Sequence, residues 1–216
     1  MSKVLFLARN KLRYNNLILN ILKKKFTKVE IFKSDHIGQD LPNKFYEKKY
    51  DYVFSYRNYI ILKQRFLNQV NVAAINFHPA PPNLRGFAPA SFAILKNLKK
   101  FGSTVHIMDH KLDHGLILDV KYFKIPKRSN IQKLLNLTYY NQILQIKFFF
   151  RNFEIFLKKK NSKYKWSKNI YSKKEIDNKM YIKSKFSKRK INLIIRATKI
   201  GKFKPYTIKN GKKKYF

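Results

Sequence analysis

Four short apolar runs, separated by stretches of helical length, constrain this chain more than any other feature. They fall at residues 4–8, 29–32, 52–55 and 72–77. Leu17, Ile18, Leu19, Ile21 and Leu22 lie in a helix-length stretch between the first two, and residues 62–67 form a helix-like segment before the fourth. Strands buried on both faces read as continuous apolar runs, and strands alternating with helices build parallel pairs joined by crossovers. The expected fold is α/β: an open, mostly parallel Rossmann-like sheet flanked by helices. Ligands of such sheets bind beyond the carboxyl ends of the strands, so the segment directly after each run is where chemistry is sought.

The fourth run ends in Asn76-Phe77-His78 and passes directly into PAPPNLRGFAPA, residues 79–90. A polar pair at a strand end, braced by a rigid turn, suggests a site rather than packing. Beyond it, residues 90–98 read as a helix, and 103–108 and 116–122 as two further strands joined by DHKLDHG. Residues 131–157 have helical periodicity, with Leu134, Leu135, Leu137, Ile143, Leu144, Ile146 and Phe148 as candidate core positions; the Phe148-Phe149-Phe150 run reads as core or helix contact. From Lys158 the composition shifts to Lys, Asn and Ser, the signature of a linker. The expected division is residues 1–157 as the main domain and 158–216 as a linker plus a short C-terminal extension, too small for its own core, that packs on the main domain.

The chain has 216 residues, room for one main core. Its 49 Lys and Arg against 11 Asp and Glu give a formal charge of +38, which attracts polyanions, phosphorylated ligands or an anionic membrane face. Two readings compete: nucleic-acid binding, and a drift of overall composition toward Lys, Asn, Ile, Phe and Tyr. The cations are mostly Lys, spread along the chain, with little of the Arg that forked phosphate and base contacts prefer, which favours drift. The absence of Cys excludes thiol nucleophiles, disulfides and thiolate metal sites. The N-terminal apolar run is too short for a signal peptide, and no run approaches the ~18 apolar residues of a spanning helix. A cytoplasmic protein is expected.

Residues i and i+2 of a strand point to one side, so Asn76 and His78 converge. Asp113, in the loop between the next two strands, is placed to reach the same crevice, and His106 is a further polar group at a strand end. An amide to donate to a developing oxyanion, a His to shuttle protons and a carboxylate to orient it suit acyl transfer to an amine. No covalent nucleophile accompanies them, which points to direct attack by the amine. Each group alone has a plainer reading: a strand His is usually packing or surface, and Asp before Gly is a turn former. A metal site of His78, His106, His110 and His114 lacks an HExxH pair and has only Asp109, Asp113 and Asp119 nearby; none is expected.

Together the motifs are more specific. Asn76-Phe77-His78-Pro79, Pro82, Arg85-Gly86, Pro89, the run from Phe101 to Asp109, Leu112-Asp113-His114-Gly115 and Ile117-Leu118 resemble the formyltransferase family that uses 10-formyltetrahydrofolate, which includes methionyl-tRNA, nucleotide-amino-sugar and glycinamide ribonucleotide formyltransferases. The resemblance is dense over residues 50–120. It implies that Asn76 and His78 polarise the formyl oxygen and stabilise the tetrahedral oxyanion. Asp113 then supports the charged His and helps route the amine proton. It further implies a pterin pocket lined by backbone of Ile60, Ile61 and Leu62 and of Ile107, Met108, Asp109 and His110, up to Asp113. Arg85, beside the turn, is the candidate phosphate contact.

Trp166, Tyr171-Ser172-Lys173 and the run IIRATKIGKFKPYTIKNGKKKYF resemble the linker and the start of the C-terminal region of the tRNA and sugar branches. The resemblance extends only to the start of that region, so the full barrel of the tRNA-acting members is not expected. Arg85-Gly86-x-x-Pro89 also points to these two branches. The expected acceptor is the primary amine of a nucleotide-linked amino sugar, with methionyl-tRNA as the alternative. A basic binding protein without catalysis on the same scaffold is the reading from another class.

Overall fold

The first apolar run, Val4 to Ala8, becomes the centre of β1 (Lys3–Arg9) in the computed structural model, which describes residues 2–201 and 203–216. The chain continues through α1 (Asn15–Lys25), β2 (Lys28–Ser34), α2 (Asn43–Tyr46), β3 (Tyr50–Tyr56), α3 (Gln64–Leu67) and β4 (Val70–His78). After the proline-rich turn come β5 (Arg85–Gly86), α4 (Pro89–Leu95), β6 (Lys100–Ile107), β7 (Ile117–Lys124), α5 (Ile131–Arg151) and α6 (Phe153–Leu157). The tail carries β8 (Ile170–Tyr171), α7 (Lys173–Met180), α8 (Lys188–Thr198), β9 (Tyr206–Lys209) and β10 (Lys212–Tyr215).

The main sheet has six strands in the order β2-β1-β3-β4-β6-β7. The first four pair in parallel, as alternation with helices requires. The last two pairings, β4 with β6 and β6 with β7, are antiparallel, the second as a hairpin closed by the loop 108–116. Side-chain alternation splits the core between the two faces. On one, Val4, Phe6, Phe54, Ile75 and Phe77 pack against Ile18 and Leu22 of α1 and Ile146, Phe149 and Phe150 of α5. On the other, Leu5, Leu7, Val53 and Ala74 pack against Leu41, Phe45 and Phe66.

Several expectations shift in detail. The helix-like segment 62–67 shrinks to α3, and the helix 131–157 breaks at Asn152 into α5 and α6. Leu144 and Phe148, expected in the core, face solvent, while Gln142 and Gln145 are buried. The glutamines occupy core positions because each has a partner: Gln142 Nε2 donates to the Phe77 carbonyl at 2.8 Å and Gln145 Nε2 to Asp119 Oδ2 at 2.8 Å. Buried polar groups are tolerated when so satisfied, and a hydrophobicity pattern does not register them.

The linker-like stretch after Lys158 docks rather than spans. Its side chains are polar, but the Ser167 N–H donates to the Pro82 carbonyl at 3.1 Å, and β8 pairs in parallel with β5. Further on, Ile176 and Ala197 join one buried cluster with Ala80, Leu84, Phe92 and Phe101 of the sheet domain. Among the described residues no helix is long and apolar enough to cross a membrane.

Candidate active site

Strand parity sets the first two groups. With Ile75 and Phe77 committed to the aromatic core, Asn76 and His78 share the opposite face with Ala74. The antiparallel register places His106 of β6 directly opposite Asn76. From the loop beyond β6, Asp113 reaches in with its backbone in the left-handed region at φ 45°. His78, His106 and Asp113 are all buried.

Hydrogen bonds fix how each group is presented. His78 Nδ1 donates to Asp113 Oδ1 at 3.1 Å, and Asp113 Oδ2 accepts the Gly86 N–H at 2.8 Å. His78 Nε2 has no hydrogen-bond partner among the described residues. Asn76 Oδ1 accepts from Ser55 Oγ at 2.9 Å, and its Nδ2 donates to His106 Nε2 at 3.1 Å. His106 Nδ1 in turn donates to the Ile107 carbonyl at 2.8 Å. The two contacts to the Asn76 amide orient it, leaving one N–H for an acceptor in the cavity.

Two pKa values are shifted in this buried cluster. His106 is pushed down to about 4, by burial first and by the neighbouring His78 charge, so it stays a neutral acceptor for Asn76. Burial pushes the Asp113 carboxyl up, but the His78 charge and hydrogen bond, the Gly86 N–H and the field of His106 outweigh it and hold the group at about 2. Asp113 is therefore an ionised partner to His78.

A folded pKa below the unfolded one means that the unfolded chain takes up the proton first. The stability that depends on neutral His106 is complete above 6.5 and is lost as the pH falls from there to about 4. That amounts to roughly 3 kcal/mol. The Asp113 contribution fades only lower, between 3.8 and about 2. Urea unfolding of wild type and His106→Gln should therefore diverge in pH dependence between pH 7 and 4.5, with the variant flatter. Parallel curves would remove His106 as the source.

A cavity of about 820 Å³ opens on these groups beyond the ends of β1, β3 and β4. Asn76, His78 and Asp113 line it together, as do Ile60, Ile61, Leu62, Met108, Asp109 and His110. Ile60 and Leu62 are buried at its wall while Ile61 is 70% exposed, an apolar side chain at the cavity. Asp109 is engaged by His114 and by the Lys111 N–H. Ile107 is not among the lining residues: its N–H donates to the Leu116 carbonyl and its own carbonyl accepts from His106.

Arg85 also departs from expectation. It is 7% exposed, does not line the cavity, and spends its two terminal nitrogens on the Ser167 carbonyl at 2.8 Å and the Leu112 carbonyl at 2.9 Å. The guanidinium is thus a clasp between the Asp113 loop and the tail, a task for a planar fork. Trp166 is legible in the sequence only as part of the linker, yet its Nε1 donates to the Gly115 carbonyl at 2.8 Å, and its ring meets His106 edge-on at 4.9 Å and lies 6.0 Å from His78. A lone Trp in a Lys-rich stretch is the available signal. Arg57, with its guanidinium 3.3 Å from the centroid of Tyr139, and Arg9, bonded to Tyr59, are cavity residues that no motif announces.

The formyl transferase family matches residues 11–141. A methionyl-tRNA formyltransferase from Hydrogenobaculum sp. is 34% identical over 77 residues, 35% of this chain, and the matched stretch spans 26% of that relative's length. Among solved structures, a sugar N-formyltransferase from Shewanella sp. superposes with a TM-score of 0.77 at 20% identity, covering 100% of this chain and 96% of that one. An N-formyltransferase from Helicobacter canadensis, in complex with folinic acid and dTDP-3-aminofucose, gives 0.70 at 21% identity over 91% of this chain and 80% of that one. At such identities the likeness is one of fold. The family match, in contrast, runs through Asn76, His78, His106 and Asp113 over more than half of the sequence, and by it this chain belongs to the formyl transferase family.

Proposed function

We propose that the chain transfers a formyl group from 10-formyltetrahydrofolate to the primary amine of a nucleotide-linked amino sugar. The observation that carries this reading is the convergence of Asn76, His78 and Asp113 on one cavity, with His78 Nε2 and one Asn76 N–H uncommitted. The folate fits the residues present: Ile60, Ile61, Leu62 and Met108 offer an apolar wall for a flat ring, and exposed Ile61 is surface that a ring would cover. When bound, it supplies an activated acyl carbon. Asn76 gives its free N–H to the carbonyl oxygen, where an aimed donor of this kind is worth roughly 10²–10³ in rate. His78 holds a proton at Nε2 for that same oxygen, and ionised Asp113 fixes Nδ1–H and stabilises the imidazolium. Residues 1–157 supply these groups, and Ile170, Tyr171, Ser172 and Lys173 of the C-terminal extension line the same cavity.

The cavity is cationic, with Arg9, Arg57, Lys111 and Lys173 among its lining residues, which suits an acceptor bearing phosphates. The dTDP-amino sugar held by the Helicobacter neighbour supports this class. Methionyl-tRNA is the second reading, favoured by the names of the sequence relatives. The test is a formyl-transfer assay with 10-formyltetrahydrofolate and a panel of nucleotide-linked amino sugars, initiator methionyl-tRNA and glycinamide ribonucleotide, read by product mass. Turnover of a nucleotide sugar is expected. Turnover of methionyl-tRNA alone would move the chain to the second reading, and no turnover together with salt-sensitive RNA binding would replace catalysis by a basic binding role.

A further inference from the structure

A second cleft, sharing no lining residue with the first, is built from arginine. Arg128, Arg189, Asn192, Leu193 and Arg196 enclose about 600 Å³ between the turn before α5 and one face of α8. Arg accounts for only nine of the 49 cationic residues, so three in one small cleft stand apart from the Lys-rich surface around them. On α8 they fall at positions 189, 192, 193 and 196, spacings of three, four and seven that form a single stripe. The opposite side of that helix, Ile194 and Ala197, is buried, which fixes where the stripe points. Arg128 comes from the turn in which Ser129 bonds back to Pro126, with its backbone at φ 56°.

No carboxylate lines this cleft, and none of the three guanidinium groups is paired with one among the described residues. Converging like charges repel unless an anion completes the group, and planar guanidinium forks match phosphate oxygens two at a time. We infer that this cleft is a binding site for the diphosphate or triphosphate group of a small molecule, clasped between Arg128 and the Arg189/Arg196 stripe. A bounded cleft with three forks suits a compact anion better than an extended nucleic-acid backbone, which needs a long basic track. Asn192 adds an amide for the same oxygens. Anion binding in this cleft is independent of formyl transfer in the first.

Calorimetric titration of the full chain with tripolyphosphate at 0.15 M salt tests it. Saturable binding is expected, weakened about tenfold or more in Arg189→Gln/Arg196→Gln and also in Arg128→Gln, which alters a different element. Lys183→Gln/Lys188→Gln, which removes the same charge as the double Arg variant outside the cleft, should bind as wild type. Equal weakening by the Lys pair would mean diffuse surface charge and would overturn the site, as would absence of binding in wild type. RNA bound through the three arginines without competition from tripolyphosphate would also overturn it, making the cleft a backbone contact. Unchanged thermal unfolding of each variant separates lost binding from lost fold.

Discussion

Asp113→Asn is expected to lower kcat for formyl transfer by roughly 10³-fold or more while leaving the chain folded. The substitution is nearly isosteric, and Asn tolerates the left-handed backbone that Asp113 adopts at φ 45°. An Asn carbonyl oxygen still accepts the Gly86 N–H that Asp113 Oδ2 accepts now. Its amide nitrogen then faces His78 Nδ1, where a carboxylate oxygen stood. A donor there turns Nδ1 into an acceptor and holds the ring neutral with its single proton at Nε2, a far weaker acid than the imidazolium, and no negative charge remains to stabilise the charged ring. His78→Ala should lose as much by removing Nε2 outright. The measurement is kcat and folate affinity for both variants beside wild type. Affinity within a few fold and turnover lost is the expected pattern; turnover within tenfold of wild type would sink the assigned roles.

The second large effect is expected at Gly115. Its φ of 90° lies outside the range of ordinary side chains, and an added Cβ would overlap the Ile107 carbonyl oxygen. That oxygen cannot yield freely, because it accepts from His106, while the Gly115 carbonyl accepts from Trp166. Strain and overpacking together should cost Gly115→Ala about 2–4 kcal/mol, or roughly 5–15 °C in Tm. Gly38 is the control: its φ is 86°, yet nothing lies within 4 Å of an added Cβ. Gly38→Ala should therefore show only the conformational cost, about 1 kcal/mol. Equal losses in thermal unfolding would mean that the Ile107 contact contributes nothing.

The two halves of the site differ in how far the sequence reveals them. Asn76 and His78 are readable from parity alone, because an apolar run puts its alternate residues on opposite faces. The pairing of Asn76 with His106 is not, since it depends on the register between β4 and β6, strands separated in the chain by a turn and a helix. Arg85 shows the limit of reasoning from residue type: a cation beside a polar turn suggests a phosphate, and only the path of the tail reveals two carbonyls already waiting for it. Likewise, the polar composition after Lys158 correctly reports solvated side chains but says nothing of backbone bonds such as that between Ser167 and Pro82.

The Arg85 clasp also sets an order in time. Polypeptides are made from the amino end, and early segments begin to fold while later ones are still being added. Every strand of the main sheet, together with Asn76, His78, His106 and Asp113, has been synthesised by Lys124. Ser167, which takes half of the Arg85 fork, Trp166, which backs both imidazoles, and β8, which pairs with β5 beside Gly86, all come later. A nascent chain therefore holds all four polar groups before it holds the brace that fixes their loop, and that brace forms only after the tail has been made and folds back.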